Sequence, residues 1–185
     1  MVDTPGLRGG GPHGTTRRIF FALWPSDDVA ASLDREARLL AAECGGRAMR
    51  RDTLHLTLNF LGNVAEKELP WICRAVEGIR AEPFTLVLDT LGYWPHNRIV
   101  WAGSSVPVPA VGDLVTAIAA RLRGNSENGG RTAFTPHLTL LRKAAKPAVT
   151  QLSQPLVWSV REWVLVESVL TSHGARYQPL ARWPL

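Results

Sequence analysis

The sequence predicts an α+β protein: a bilobed fold of two antiparallel-rich sheets related by a pseudo-two-fold, with helices on the outside and a central cleft. Three observations predict it. The tetrapeptide HLTL occurs twice, as His55-Leu56-Thr57-Leu58 and His137-Leu138-Thr139-Leu140, 82 positions apart (137 − 55), close to half the 185-residue chain. Each copy alternates polar and apolar residues, the period of a half-buried strand. Around each copy, strand and helix signals come in the same mixture.

Taken in order, residues 1–16 are rich in Gly and Pro and poor in large apolar side chains, so a disordered tail is expected there, containing His13. Residues 17–185 are expected to form one bilobed domain. Arg17–Trp24 (RRIFFALW) has the apolar density of a buried strand. Pro25-Ser26-Asp27-Asp28 then opens a helix to about Glu43, with Val29, Leu33, Ala37 and Leu40 on one face and Gly45-Gly46 ending it. Arg47–Arg51 is a short strand, and the first HLTL strand runs to Gly62.

A second helix follows over Ala65–Ile79, with Leu69, Ile72, Val76 and Ile79 as its stripe and Pro70 near its start. Phe84–Leu91 and Arg98–Gly103 read as a hairpin joined through residues 92–97. Val108–Arg123 is a third helix, and residues 123–131 (RGNSENGGR) are a polar loop. Pro136 forbids helix just ahead of the second HLTL. Ala144–Leu152 is expected as a short helix, Leu156–Leu170 as one long strand or two, and Tyr177–Trp183 as the last strand.

Strict alternation puts His55 and Thr57 on one face and Leu56, Leu58 and Phe60 on the other. It likewise groups His137, Thr139 and Leu141 against Leu138 and Leu140, and it turns Arg142 away from His137. One His-x-Thr is ordinarily just a strand's exposed face; two in the same setting point to a shared site. If the lobes face each other, two imidazoles titrating near neutrality flank one volume, each beside a hydroxyl donor. One neutral and one protonated imidazole supply concerted general acid–base catalysis. A phosphodiester suits such a site: in-line displacement needs a base on the attacking side and an acid on the leaving side, and hydroxyls can hold the non-bridging oxygens. Protons then manage both oxygens, so no metal is required, and no CxxC, HExxH or Asp-rich loop offers one.

These residues carry a resemblance. His55-Leu-Thr57-Leu-Asn59-Phe60-Leu61-Gly62 and Phe134-Thr-Pro136-His137-Leu-Thr139-Leu-Leu-Arg142 resemble the paired motifs of the 2H phosphoesterase superfamily, and most of all its RNA 2′,3′-cyclic phosphodiesterase (bacterial 2′–5′ RNA ligase) branch. Arg18-Ile-Phe20-Phe21-Ala22-Leu and Val169-Leu170-Thr171-Ser172 with Tyr177 are similar too. The resemblance implies metal-independent opening of a terminal 2′,3′-cyclic phosphate to a 2′-phosphate. It makes His55 the proton donor, His137 the proton acceptor, and Thr57 and Thr139 the holders of phosphate oxygens. It also implies a capacity for 2′–5′ RNA joining. Arg142 has a counterpart in the family, where a phosphate contact is natural; Phe20 and Tyr177 are further substrate-binding candidates. Other readings are a non-catalytic nucleotide- or RNA-binding module, and a 2H enzyme acting on 2′,5′-oligoadenylates or small cyclic phosphates. The chain departs from the family in its tail and in Met49-Arg50-Arg51, where relatives place an aromatic.

A net charge of +5, with Arg outnumbering Lys 18 to 3, is compatible with an RNA-end or nucleoside cyclic phosphate substrate. Arg47, Arg50 and Arg51 are candidates for a basic rim, while His96 and His173 read as exposed. No apolar run reaches membrane-spanning length and no secretory leader is visible, so a cytoplasmic monomer without cofactor is expected, with Cys44 and Cys73 as free thiols.

Overall fold

The computed structural model describes residues 15–122, 134–172 and 174–185. The expected tail (apart from Thr15 and Thr16), the loop 123–131 and His173 lie outside them. Nine strands and three α-helices are described: β1 Thr16–Leu23, α1 Asp27–Cys44, β2 Arg47–Ala48, β3 Leu56–Ala65, α2 Leu69–Glu77, β4 Phe84–Trp94, β5 Ile99–Gly103, α3 Pro109–Leu122, β6 Leu138–Arg142, β7 Gln151–Val160, β8 Glu162–Thr171 and β9 Gly174–Pro184.

The class and the order of elements are as the sequence predicts, with one correction. Residues 143–150 form no helix, and Gln151 already begins β7. Backbone partners from elsewhere fix this segment: Ala144 and Ala145 donate N–H to the carbonyls of Arg98 and Cys44, and Ala148 N–H goes to Glu43 Oε1. Lys143 adopts φ 59°, which breaks any helical start. Two smaller differences have local causes. Arg51–Thr53 makes a single 3-10 turn instead of extending β2, and Glu66–Glu68 makes another that shifts the start of α2 to Leu69, leaving Pro70 in its first turn.

All strand pairs are antiparallel, in the order β7-β4-β5-β6-β3-β1-β8-β9, with β2 on β6. The two four-stranded halves, β3-β1-β8-β9 and β6-β5-β4-β7, meet at one registered pair, Leu56 with Leu138. The two sheets are therefore continuous through a single point. Leu56 and Leu138 are the same position of the two HLTL motifs, so this pair lies on the approximate two-fold. The halves of the sheet are not halves of the sequence: one is built from both ends of the chain, the other from its middle.

One face of the sheet carries the main core. Ile19, Phe21 and Leu23 of β1, Leu56 and Leu58 of β3, and Leu138, Leu140 and Leu141 of β6 are buried there with Leu33, Ala37 and Leu40 of α1 and Leu114 and Ile118 of α3. Helix α1 lies on β6 and β7, and α3 on β3, so the helices cover this face only. No helix of the described residues is long and apolar enough to cross a membrane.

Candidate active site

The antiparallel sense at Leu56–Leu138 sets the site. With both Leu side chains in the core at 0 % exposure, their neighbours His55, Thr57, His137 and Thr139 all emerge on the opposite face. His55 falls on the Thr139 side and Thr57 on the His137 side. All four line one cleft of about 300 Å³. The four strand-face residues singled out from the sequence thus lie together.

Beyond each Thr the alternation is re-phased by a β-bulge, which inserts one extra residue on one strand. In β3 the pairing jumps from Ala22↔Thr57 to Phe21↔Asn59; in β6 it jumps from Trp101↔Thr139 to Val100↔Leu141. Leu58 and Leu140, 82 positions apart, are the extra residues. Leu140 and Leu141 are both fully buried, and Asn59 turns toward α3, where its Nδ2 donates to Val115 O at 3.3 Å. The third residue after each Thr then returns to the cleft: Phe60 in one copy, Arg142 in the other. This corrects three expectations. Phe60 is not core but 46 % exposed, Leu141 is buried instead of sharing the His137 face, and Arg142 faces the cleft.

Both imidazoles are held the same way. His55 Nδ1 is 2.7 Å from Thr53 O, and His137 Nδ1 is 2.9 Å from Thr135 O. A carbonyl only accepts, so Nδ1 carries the hydrogen in each ring and Nε2 is left for proton exchange. His55 Nε2 is 3.1 Å from Thr57 Oγ1, which donates to it when the ring is neutral.

Burial, aided by the positive charges of His137 and Arg142 and opposed by the Thr53 carbonyl, pushes His55 down to about 4. His137 is also lowered, chiefly by burial and then by Arg142, against the Thr135 carbonyl. Aromatic walls cause much of that burial. Phe20, Trp24 and Tyr177 surround His55 at ring-centre distances of 4.8, 5.4 and 5.0 Å. Trp94 stands edge-to-face on His137 at 4.4 Å, backed by Trp101. Trp101 lies over Gly92, where a Cβ would come within 2.0 Å of the indole, so only glycine admits this packing.

Phe20 is 3 % exposed and Tyr177 half-buried, so they back His55 as much as they line the cleft. Arg18, Met49 and Ser168 also line it, and none of them was singled out from the sequence for this; the two-residue spacing of Arg18 and Phe20 along β1 was the available signal. The Arg18 guanidinium lies 4.8 Å from the centre of the Phe60 ring. Neither Arg18 nor Arg142 meets a carboxylate among the described residues. In the proposed rim, Arg50 pairs with Asp52 and Arg51 reaches Asp27, while Arg47 is exposed beside the cleft strand β6, its backbone paired with Arg142. His96 is exposed in the β4–β5 turn. Among the described residues no three His, Cys, Asp or Glu side chains gather into a metal-sized cluster.

The chain is similar to known proteins in both sequence and fold. The family model described as LigT like Phosphoesterase matches residues 23–101. The chain is 34% identical over 172 residues to the RNA 2′,3′-cyclic phosphodiesterase of Escherichia coli (strain K12), covering 91% of this chain and 97% of that one. The protein of the same name from Thermus thermophilus is 32% identical over 183 residues, covering 91% and 90%. The crystal structure of E. coli LigT complexed with 3′-AMP superposes with a TM-score of 0.84 at 31% identity, covering 92% of this chain and 99% of that one.

Proposed function

Because the chain belongs to the family of LigT-like phosphoesterases, the RNA 2′,3′-cyclic phosphodiesterases, we propose that its cleft opens a 2′,3′-cyclic phosphate by in-line displacement between His55 and His137. The observation that carries this is the convergence of both His/Thr pairs on one cleft with Nδ1 of each ring tied to a backbone carbonyl.

His137 Nε2 takes the proton of the attacking water as its oxygen bonds to phosphorus. The P–O3′ bond breaks, and His55 Nε2–H gives its proton to O3′, leaving a 2′-phosphate and a free 3′-hydroxyl. Solvent then returns both rings to their starting states. The Thr57 and Thr139 hydroxyls donate to the non-bridging oxygens, and Arg142, brought in by the bulge at Leu140, supplies positive charge there. In the free protein His55 is neutral at pH 7, so it must gain its proton with substrate. The phosphodiester's negative charge favours the imidazolium and provides that gain.

The same path run with a 5′-hydroxyl in place of water forms a 2′–5′ linkage, since O3′ again leaves. This is the basis for expecting weak RNA-joining activity. The cleft is complete within one chain, and Cys44 and Cys73 are unpaired, which supports a monomer in a reducing, cytoplasmic setting.

The test is incubation with a nucleoside 2′,3′-cyclic phosphate in EDTA. The expected product is the 2′-monophosphate. Formation of the 3′-monophosphate, or activity that returns only with added divalent metal, overturns the mechanism.

A further inference from the structure

Among the described residues no carboxylate lines the cleft to support a charged His55. The groups facing the ring from β6, His137 and Arg142, are cationic or become so, and both oppose its protonation. Arg18 of β1 lines the same cleft, Ser168 of β8 and Tyr177 of β9 are neutral, and Asp52 in the preceding turn is bound by Arg50. Apart from the Thr53 carbonyl and the Thr57 hydroxyl oxygen, which can accept from Nε2–H, the neighbour suited to an imidazolium is an aromatic face.

Trp24 offers one. It continues the alternation of Arg18, Phe20 and Ala22 along β1 and packs on the small cluster of Phe20, Ala22, Val164 and Val166 that backs the cleft. Its indole lies parallel to the His55 ring, at 11° between planes and 5.4 Å between centres. Phe20 is tilted by 35° and Tyr177 stands at 84°, so Trp24 alone of the three presents its face flat to the imidazole. Tyr177 stands edge-on to Trp24 at 6.2 Å, which fixes the indole in turn.

We propose that Trp24 is a positioning residue for proton donation: its indole face sets the plane of the His55 ring and favours the protonated imidazole, in the place a carboxylate partner would take. This rests on the reading of His55 as the proton donor. An indole face attracts a cation through its quadrupole, and at a partly desolvated site the effect is worth a rise of about half to one and a half units in the imidazole pKa. Removing the indole has a second effect of opposite sign. It lets water reach the ring, which raises the pKa by relieving burial. The sign of the change therefore separates the proposed role from plain packing.

The test follows the histidine ring signals of the full chain by NMR against pH in the wild type, Trp24→Leu and Trp24→Phe, with His55→Gln identifying the His55 signal. The expected result is a His55 pKa lowered in Trp24→Leu, by about half a unit or more, and lowered less in Trp24→Phe, whose ring keeps a weaker face, while His137 holds its value. An unchanged or raised His55 pKa overturns the proposal. If Trp24→Leu fails to fold, the Trp24→Phe shift alone decides it. The kinetic readout is separate: the basic limb of the kcat profile should move with the NMR pKa, a loss of roughly 3- to 30-fold above that limb. A shifted NMR pKa with an unmoved kcat profile would refute proton donation by His55 but not the stacking; an unmoved NMR pKa would refute the stacking alone.

Discussion

Lowering the pH should cost this protein stability through His55 before its carboxylates titrate. The imidazole falls from 6.5 to about 4 on folding, a difference of about 2.5 units. At about 1.4 kcal/mol per unit this is worth roughly 3 kcal/mol in all. The folded-state value is the depressed one, so the unfolded chain binds the proton first. The contribution is fully present above pH 6.5, declines as pH falls, and is gone below about 4. At pH 4.5 roughly 2 to 3 kcal/mol of it has been lost. The assay is urea unfolding of the wild type and His55→Gln at pH 7.5 and 4.5. The glutamine amide can still donate to Thr53 O but does not titrate. Asp28, Asp52 and Asp89 are all held below the usual carboxylate range and are common to both proteins, so their effect cancels in the difference. The wild type should lose about 2 kcal/mol more than the variant between the two pH values. Equal losses would refute the idea that folding buries a neutral His55.

His55→Ala and His137→Ala should each lower kcat by about 10²- to 10⁴-fold and each remove one limb of a bell-shaped pH profile; a variant that keeps both limbs would clear its histidine of a proton-transfer role. Arg142→Gln should reduce kcat/KM by about 10-fold or more with an unchanged Tm, because the side chain is exposed and meets no carboxylate among the described residues; a drop in Tm with normal kinetics would make Arg142 structural. Inorganic phosphate, titrated into labelled protein, should raise the His55 pKa from about 4, since an anion in the cleft favours the charged ring; no movement at saturation would break the link between substrate charge and protonation. Gly92→Ala puts a methyl 2.0 Å from the Trp101 indole and should cost about 1 to 3 kcal/mol while shifting the His137 ring signals; an unchanged stability would show that the indole moves freely.

The grouping of His55, Thr57, His137 and Thr139 on one cleft was legible because it needs only a period of two and one repeat. Once each HLTL is a strand with its leucines inward, His and Thr must face outward, wherever the strands go. Phe60 and Arg142 were not legible by that rule, because a bulge shifts the phase and its cause lies in the partner strand. One local signal existed: Leu140-Leu141 puts two apolar residues in succession where alternation calls for one, and both are buried. The helix expected over residues 144–152 failed for a similar reason. Its backbone groups are taken by Arg98, Cys44 and Glu43, partners 46 to 105 positions away that no local propensity reveals. Met49 and Ser168 reach the cleft from separate elements, and only the strand order shows that they meet.

On the proposed mechanism, a site built on an approximate two-fold raises the question of how two identical motifs would perform opposite proton transfers. HLTL, the bulge after it and the carbonyl that holds Nδ1 are duplicated, so none of them can make one histidine an acid and the other a base. The difference must come from what the two-fold does not repeat. Where one copy brings Phe60 into the cleft, the other brings Arg142, a fixed positive charge that opposes protonation of both rings. His55 has an indole lying flat on it and three aromatic neighbours; His137 has Trp94 at 71°, on edge. If His55 is the proton donor, it must hold a charge with no carboxylate lining the cleft among the described residues, and the flat indole face is suited to that. On the same reading His137 must stay neutral until water gives up its proton; burial and then Arg142 favour that form, but both act on His55 too, so the flat indole on His55 is the feature that separates the two rings.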